Sequence, residues 1–201
     1  MSNNTRQYIK NGDIIKLAIT WTPGVGKSTV SKLLVKRLNE LDELYNNQKF
    51  EYIDITETVK NNGLYSEKDE YMDSYVVDFQ KLDEYINNIE SKYENLIIDG
   101  HVSHLLNVDY VIVLRCNPEI ILKRLKKRKY SNNKIKENVE AEILDVCLTE
   151  SLENSNNVYE IDTTNRPLES IVDEIIEEAL THKKTKYGIV NWLDDYFYML
   201  D

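Results

Sequence analysis

The chain has 201 residues, 41% of them hydrophobic and 30% charged, with only six Gly and three Pro. That length fits one domain with a real core, and the composition excludes a disordered or collagen-like chain. Acidic residues outnumber basic ones 35 to 25, and the net charge of -10 argues against a protein that wraps nucleic acid over its whole surface.

In chain order, Ile14 to Thr20 reads as a short buried strand. It leads through TPGVGKST into a helix whose Val30, Leu33, Leu34, Leu38 and Leu41 share one face. Phe50 to Ile53 is a second strand, and Asp54 and Gly63 are a start and a stop for the next helix. Residues 64–78 are acidic and Tyr-rich with little period. A helix from Phe79 to about Lys92 precedes strands at Leu96–Asp99 and Tyr110–Leu114. Pro118 suits a first helical position for 118–128, and Ser131 to about Glu153 reads as one long helix. Val158–Ile161 is a fifth strand, and Pro167 opens a helix to about Ala179. The tail from Tyr187 to Leu200 is expected to be helical, anchored by Trp192 and Phe197. Strands separated by helices imply βα units and a parallel sheet covered on both faces.

No run of about 18 apolar residues is present, so no membrane span is expected. The polar N-terminus lacks the apolar core of a secretion signal. Cys116 and Cys147 lie in apolar runs without metal-ligand spacing and are expected as buried, reduced thiols. Together these point to the cytoplasm.

Thr22-Pro23-Gly24-Val25-Gly26-Lys27-Ser28-Thr29 lies between a strand and a helix, the context that a phosphate-binding loop requires. The glycines let the backbone curl so that amide N–H groups point at phosphate oxygens, and the helix start adds its positive end. Lys27 is expected to reach the β- and γ-phosphates of ATP, and Ser28 to hold Mg2+. The G-x-x-x-x-G-K-[ST] pattern wants Gly five residues before Gly26, where this chain has Trp21. If that position needs positive φ, a bulky residue there costs roughly 1–2 kcal/mol. Three readings of Trp21 stand open: it packs beside the sheet, it shapes the nucleotide pocket, or it damages binding.

Asp99 ends a buried strand, the place from which an acid opposes the phosphates and holds Mg2+ through water. His101, two residues on, either positions a water or phosphate or is an ordinary hydrogen-bonded histidine. Eight of the 25 basic residues fall within 123–136, with no acid among them. Arg124 and Arg128 are four apart, on one helical face, and two guanidiniums suit a transferring phosphoryl group. The lysines of that cluster read as a solvated face or as an RNA contact.

These residues resemble the adenylate kinase isoenzyme 6 family. The resemblance covers about residues 14–180 through TPGVGKST at 22–29, Asp54 with GLY at 63–65, SYVVD at 74–78 and IIDGHVSH at 97–104. It continues through VLRC at 113–116, RLKKRKY at 124–130 and KIKENVEAEI at 134–143. It implies an α/β P-loop NTPase fold of the nucleoside monophosphate kinase type, one domain over 1–201 with a five-stranded parallel sheet flanked by helices. Residues 54–77 become the monophosphate-binding segment, with Asp54 and Lys60 as substrate contacts, 127–137 a short lid carrying Arg128, and 182–201 a helical tail. Gly24, Val25, Gly26, Lys27, Ser28 and Thr29 hold ATP, Asp99 and His101 match the family's Asp-x-His, and Thr164 and Asn165 meet the adenine base.

The implied reaction is ATP + AMP to 2 ADP with Mg2+, alongside a slow ATPase. The implied partners are a small-subunit ribosomal protein and precursor rRNA, and the compartment is cytoplasmic for an archaeal chain, nuclear for a eukaryotic one. Three positions depart from the family: Trp21 for Gly, Lys60 for an Arg, and Lys129 for the Gly of the lid's Arg-Gly-Tyr. A Lys lacks the bidentate fork of Arg, which bears on AMP binding. The leading reading is a phosphotransferase carried by Lys27, Asp99, His101, Arg124 and Arg128. Its rival is an ATP-driven ribosome-assembly factor in which AMP is incidental, and a third is a loop kept for structure alone.

Overall fold

The computed structural model describes residues 16–26, 28–43, 49–69, 74–90, 93, 95–128, 130–181 and 183–200. The apolar run Lys16–Trp21 forms β1, and its buried residues Leu17, Ala18 and Ile19 make it the centre of a sheet. Phe50–Asp54 is β2, the hairpin strands Tyr65–Asp69 and Ser74–Val77 are β3 and β4, and Asn95–Asp99 is β5. Tyr110–Arg115 is β6 and Val158–Asp162 is β7. Strands β2, β5, β1, β6 and β7 lie side by side in that order as one parallel five-stranded sheet. Near-continuous apolar strands are what a parallel sheet covered on both faces demands.

The covering helices are α1 (Ser28–Glu43), α2 (Ile55–Asn62), α3 (Phe79–Glu90), α4 (Pro118–Lys127), α5 (Asn132–Ile143), α6 (Val146–Asn154) and α7 (Leu168–Glu174). On α1, Val30, Leu34 and Leu38 are buried against Leu17, Ile19 and Ile112, as the periodicity predicts, while Leu33 is only partly covered. The side chain of Leu41, assigned to the same face, lies outside the described residues. A second cluster joins Ile53, Leu96 and Ile98 to Ile55, Val59, Leu82 and Ile86 of α2 and α3. A third seats Cys147 and Leu148 of α6 on Ala18, Val111 and Val158. Both cysteines are buried and free, as expected. Asp54 caps α2 by accepting from the Glu57 N–H at 3.1 Å, and Gly63 closes it at φ +66°.

Three local readings give way to the structure. Residues 64–78 are not aperiodic chain, because β3 and β4 pair antiparallel. The hairpin is held by a cross-strand Tyr65–Tyr75 ring pair at 4.6 Å rather than by a buried alternating face, so no period is written into it. The single helix expected over 131–153 is two, broken at Asp145, which adopts φ +56°. There the buried Arg115 guanidinium takes Asp145, together with Glu142 at 2.9 Å and Glu160 at 2.6 Å.

The tail is helical only at α8 (Trp192–Tyr196) and the 3-10 turn Phe197–Met199. Before α8 it runs extended beside β7, where Glu160 N donates to Lys186 O at 2.7 Å and Ile189 N donates to the Glu160 carboxylate at 2.9 Å. Trp192 is buried as expected, but Phe197 is 69% exposed and anchors nothing. Tyr196 turns inward instead and accepts from the Asn117 side-chain amide.

Removing one partner of a buried ion network strands the others without solvent. Arg115→Met is therefore expected to lower stability by about 3–5 kcal/mol, read as a fall in the urea midpoint, since Glu142 and Glu160 stay buried without their counter-charge.

Candidate active site

The parallel register sets the site. Ile19 of β1 pairs with Asp99 of β5, so the loop that follows β1 emerges beside the carboxylate that ends β5. Gly24 and Gly26 take φ +108° and +102°, values that suit glycine. Gly24 also lets α4 approach, because a Cβ there would stand 2.9 Å from Ile121 Cγ2. Arg124 of α4 donates from Nη1 to the main-chain carbonyls of Gly24 at 3.1 Å and Val25 at 2.7 Å. The C=O and the following N–H of a trans peptide point opposite ways. Holding the Val25 carbonyl therefore turns the Gly26 N–H to the other side, the orientation that an anion-receptive loop needs.

Trp21 is not among the positive-φ residues, so the first position of the loop pattern needs no left-handed backbone here and the strain that a positive φ would bring does not arise. Its indole is 5% exposed and donates from Nε1 to Asp99 Oδ1 at 2.9 Å. Tyr52 of β2 donates its hydroxyl to Asp99 Oδ2 at 2.7 Å. Burial and the hydrogen bond to Asp99 hold the Tyr52 phenol well above its ordinary range, so it remains a donor. Asp99 itself is fully buried.

His101 is half-buried, with Nδ1 at 3.0 Å from the Trp21 main-chain carbonyl. A carbonyl only accepts, so Nδ1 carries a proton and donates this bond. Behind the site, Thr20 Oγ1 meets His104 Nδ1 at 2.7 Å, and His104 Nε2 meets Glu150 at 2.9 Å. Burial pushes the Cys147 thiol up to about 12 and that of Cys116 to about 11, so neither is a nucleophile at neutral pH.

The sequence-predicted residues divide in their placement. Asp99 and His101 both meet Trp21, at the start of the loop that carries Gly24, Val25 and Gly26, and Arg124 braces the carbonyls of that loop. Arg128 is exposed at the end of α4. Thr29 and Lys60 are exposed on α1 and α2, and Asp54 is the α2 cap. Thr164 Oγ1 accepts from Asn117 N at 2.9 Å, and the exposed Asn165 takes φ +53°. Lys27, the Ser28 side chain and Lys129 lie outside the described residues. Tyr52 was not foreseen, since a strand tyrosine carries no signal of its own for a bond to the neighbouring strand's acid. Of the basic cluster, Lys123 and Lys136 pair with Glu119 and Glu140 one helical turn away at 3.9 Å, as on a solvated face.

Among the described residues no three His, Cys, Asp or Glu form a group that could hold a metal by themselves. One buried carboxylate beside a phosphate cradle is the donor set that suits Mg2+, which keeps waters and binds with substrate phosphates rather than in an all-protein cage. No helix of the described residues is long and apolar enough to cross a membrane.

The sheet, the loop and the acid define a P-loop kinase fold. It matches shikimate kinase from Acinetobacter baumannii with a TM-score of 0.55 at 14% identity, over 85% of this chain and 96% of that one. Shikimate kinase from Bacteroides thetaiotaomicron matches with a TM-score of 0.52 at 14% identity, over 81% and 96%. The family model described as "AAA domain" matches residues 17–145. A Methanocaldococcus jannaschii protein named "Putative adenylate kinase" is 58% identical over 91% of this chain and 96% of its own length. Proteins of the same name are 53% identical in Methanococcus maripaludis (92% of this chain, 99% of that one) and 40% in Thermococcus kodakarensis (90% and 94%). The chain belongs to this archaeal family of nucleotide kinases.

Burial holds the His104 imidazole below its ordinary value, against the raising pull of Glu150. The unfolded chain then takes up a proton at higher pH than the folded one, so stability rises with pH through that window. The urea midpoint is expected to fall as pH drops from about 6.5, and His104→Gln is expected to flatten that slope. An unchanged slope in the variant contradicts the assignment.

Proposed function

We propose that the protein is an Mg2+-dependent adenylate kinase of the isoenzyme 6 type, acting in the cytoplasm as one domain. The observation that carries this reading is the glycine-rich loop at Gly24 and Gly26 beside Asp99, which ends the adjoining strand, and His101 just after it. The names of relatives up to 58% identical support it.

In this reading Gly24, Val25, Gly26, Lys27 and Thr29 bind the ATP phosphates, and Lys27 neutralises charge on the β- and γ-phosphates. Mg2+, held by Ser28 and through water by Asp99, supplies charge stabilisation on the phosphate oxygens. Residues 54–77, with Asp54 and Lys60, receive AMP, and Thr164 and Asn165 border the adenine of ATP. An oxygen of the AMP phosphate attacks the γ-phosphorus in line. The bond to the β–γ bridging oxygen breaks, and that oxygen leaves with its electron pair on ADP. Arg128, on the 127–137 lid, stabilises the spreading charge, and Arg124 keeps the loop in shape for it. His101 Nε2 orients a water when no AMP is bound, which gives the slow ATPase.

The test is ADP formation from ATP and Mg2+ with and without AMP. AMP is expected to raise ADP output well above the ATP-only rate, and Lys27→Ala to cut it by about 100-fold or more. Near-normal turnover in that variant sinks the assignment. ATP turnover that AMP leaves unchanged puts the ATP-driven assembly factor, with its ribosomal-protein and rRNA partners, in its place.

A further inference from the structure

We infer that Trp21 is a positioning residue for the Asp99–His101 pair, and that it sets the Mg2+-dependent part of nucleotide affinity. The inference rests on the reading above, in which Asp99 holds the metal through water. Trp21 reaches both members of the pair. Its indole Nε1 donates to Asp99 Oδ1 at 2.9 Å, and its main-chain carbonyl meets His101 Nδ1 at 3.0 Å. A glycine at position 21 can make only the second of these contacts. The indole therefore adds a fixed donor where a shorter residue leaves Oδ1 to water or to rotation about the side-chain bonds.

The opposite oxygen is fixed as well, by Tyr52 from the far side at 2.7 Å. With one rigid aromatic donor on each oxygen, the carboxylate plane cannot turn without breaking a buried bond. Trp21 is itself immobilised, 5% exposed in the largest core cluster and paired in the sheet with Leu114. A carboxylate has about four lone-pair sites, and the indole and phenol bonds take two of them. Partners that orient a metal's ligands commonly shift metal affinity by 10- to 100-fold when removed.

The experiment is calorimetric binding of a non-hydrolysable ATP analogue, with Mg2+ and in EDTA, to the wild type and to Trp21→Phe. The phenyl ring keeps the bulk and the main-chain contact but removes the N–H. Affinity in EDTA is expected to stay within about twofold, while the gain on adding Mg2+ shrinks by about tenfold or more. An equal Mg2+ gain in both proteins overturns the proposal and leaves the kinase reading standing. No analogue binding by the wild type overturns both.

Should Trp21→Phe fail to fold, Trp192→Phe leaves Trp21 as the sole tryptophan, since the chain has two. Trp21 emission is then expected to shift on adding the analogue with Mg2+ and not on adding it in EDTA. Emission that does not distinguish the two conditions overturns the proposal.

Discussion

The pairing of β1 with β5 is the constraint on which the site depends. Ile19 lies opposite Asp99, and Gly100 N donates to Ile19 O at 3.2 Å, so the ends of the two strands cannot slide apart. A slip of one residue would turn every side chain to the other face. Asp99 would then leave the loop, and Leu17 and Ile19 would leave α1. The apolar burial that fixes the fold therefore also fixes where the chemistry is held. Arg124 adds the second brace by tying α4 to the loop carbonyls.

Trp21 changes how that arrangement is read. At the first position of the loop pattern a glycine is the usual residue, and three readings of Trp21 stand open in the sequence: packing beside the sheet, shaping the nucleotide pocket, or damaging binding. The backbone there needs no positive φ, and the indole is absorbed into the core with its one polar atom spent on Asp99. A buried indole N–H costs free energy unless it finds an acceptor, and a buried carboxylate costs more unless it finds donors. The two groups meet each other's need, and Tyr52 completes the set from β2.

Much of the fold was legible because periodicity and caps were strong. Apolar runs marked all five sheet strands, and Asp54 and Gly63 bounded α2. What escaped was decided by partners far along the chain. The break at Asp145 follows from Arg115, thirty residues earlier and buried, which no local propensity announces. The β3–β4 hairpin rests on two tyrosines meeting across strands. The tail's inner anchor is Tyr196 rather than Phe197, because a hydroxyl could reach Asn117 and a phenyl ring could not.

In the site, the loop and Asp99 were readable from motif and context. The loop-bracing contact of Arg124 and the donor from Tyr52 were not, since both depend on how helices and strands pack. In the proposed reading ATP sits at the loop and Asp99 while AMP sits at residues 54–77, both bound at once. The most direct measurement is the affinity of a bisubstrate analogue, two adenosines joined through five phosphates, against that of ATP. The account predicts binding at least about tenfold tighter than ATP, because both subsites are filled by one molecule. Affinity no better than that of ATP would contradict it.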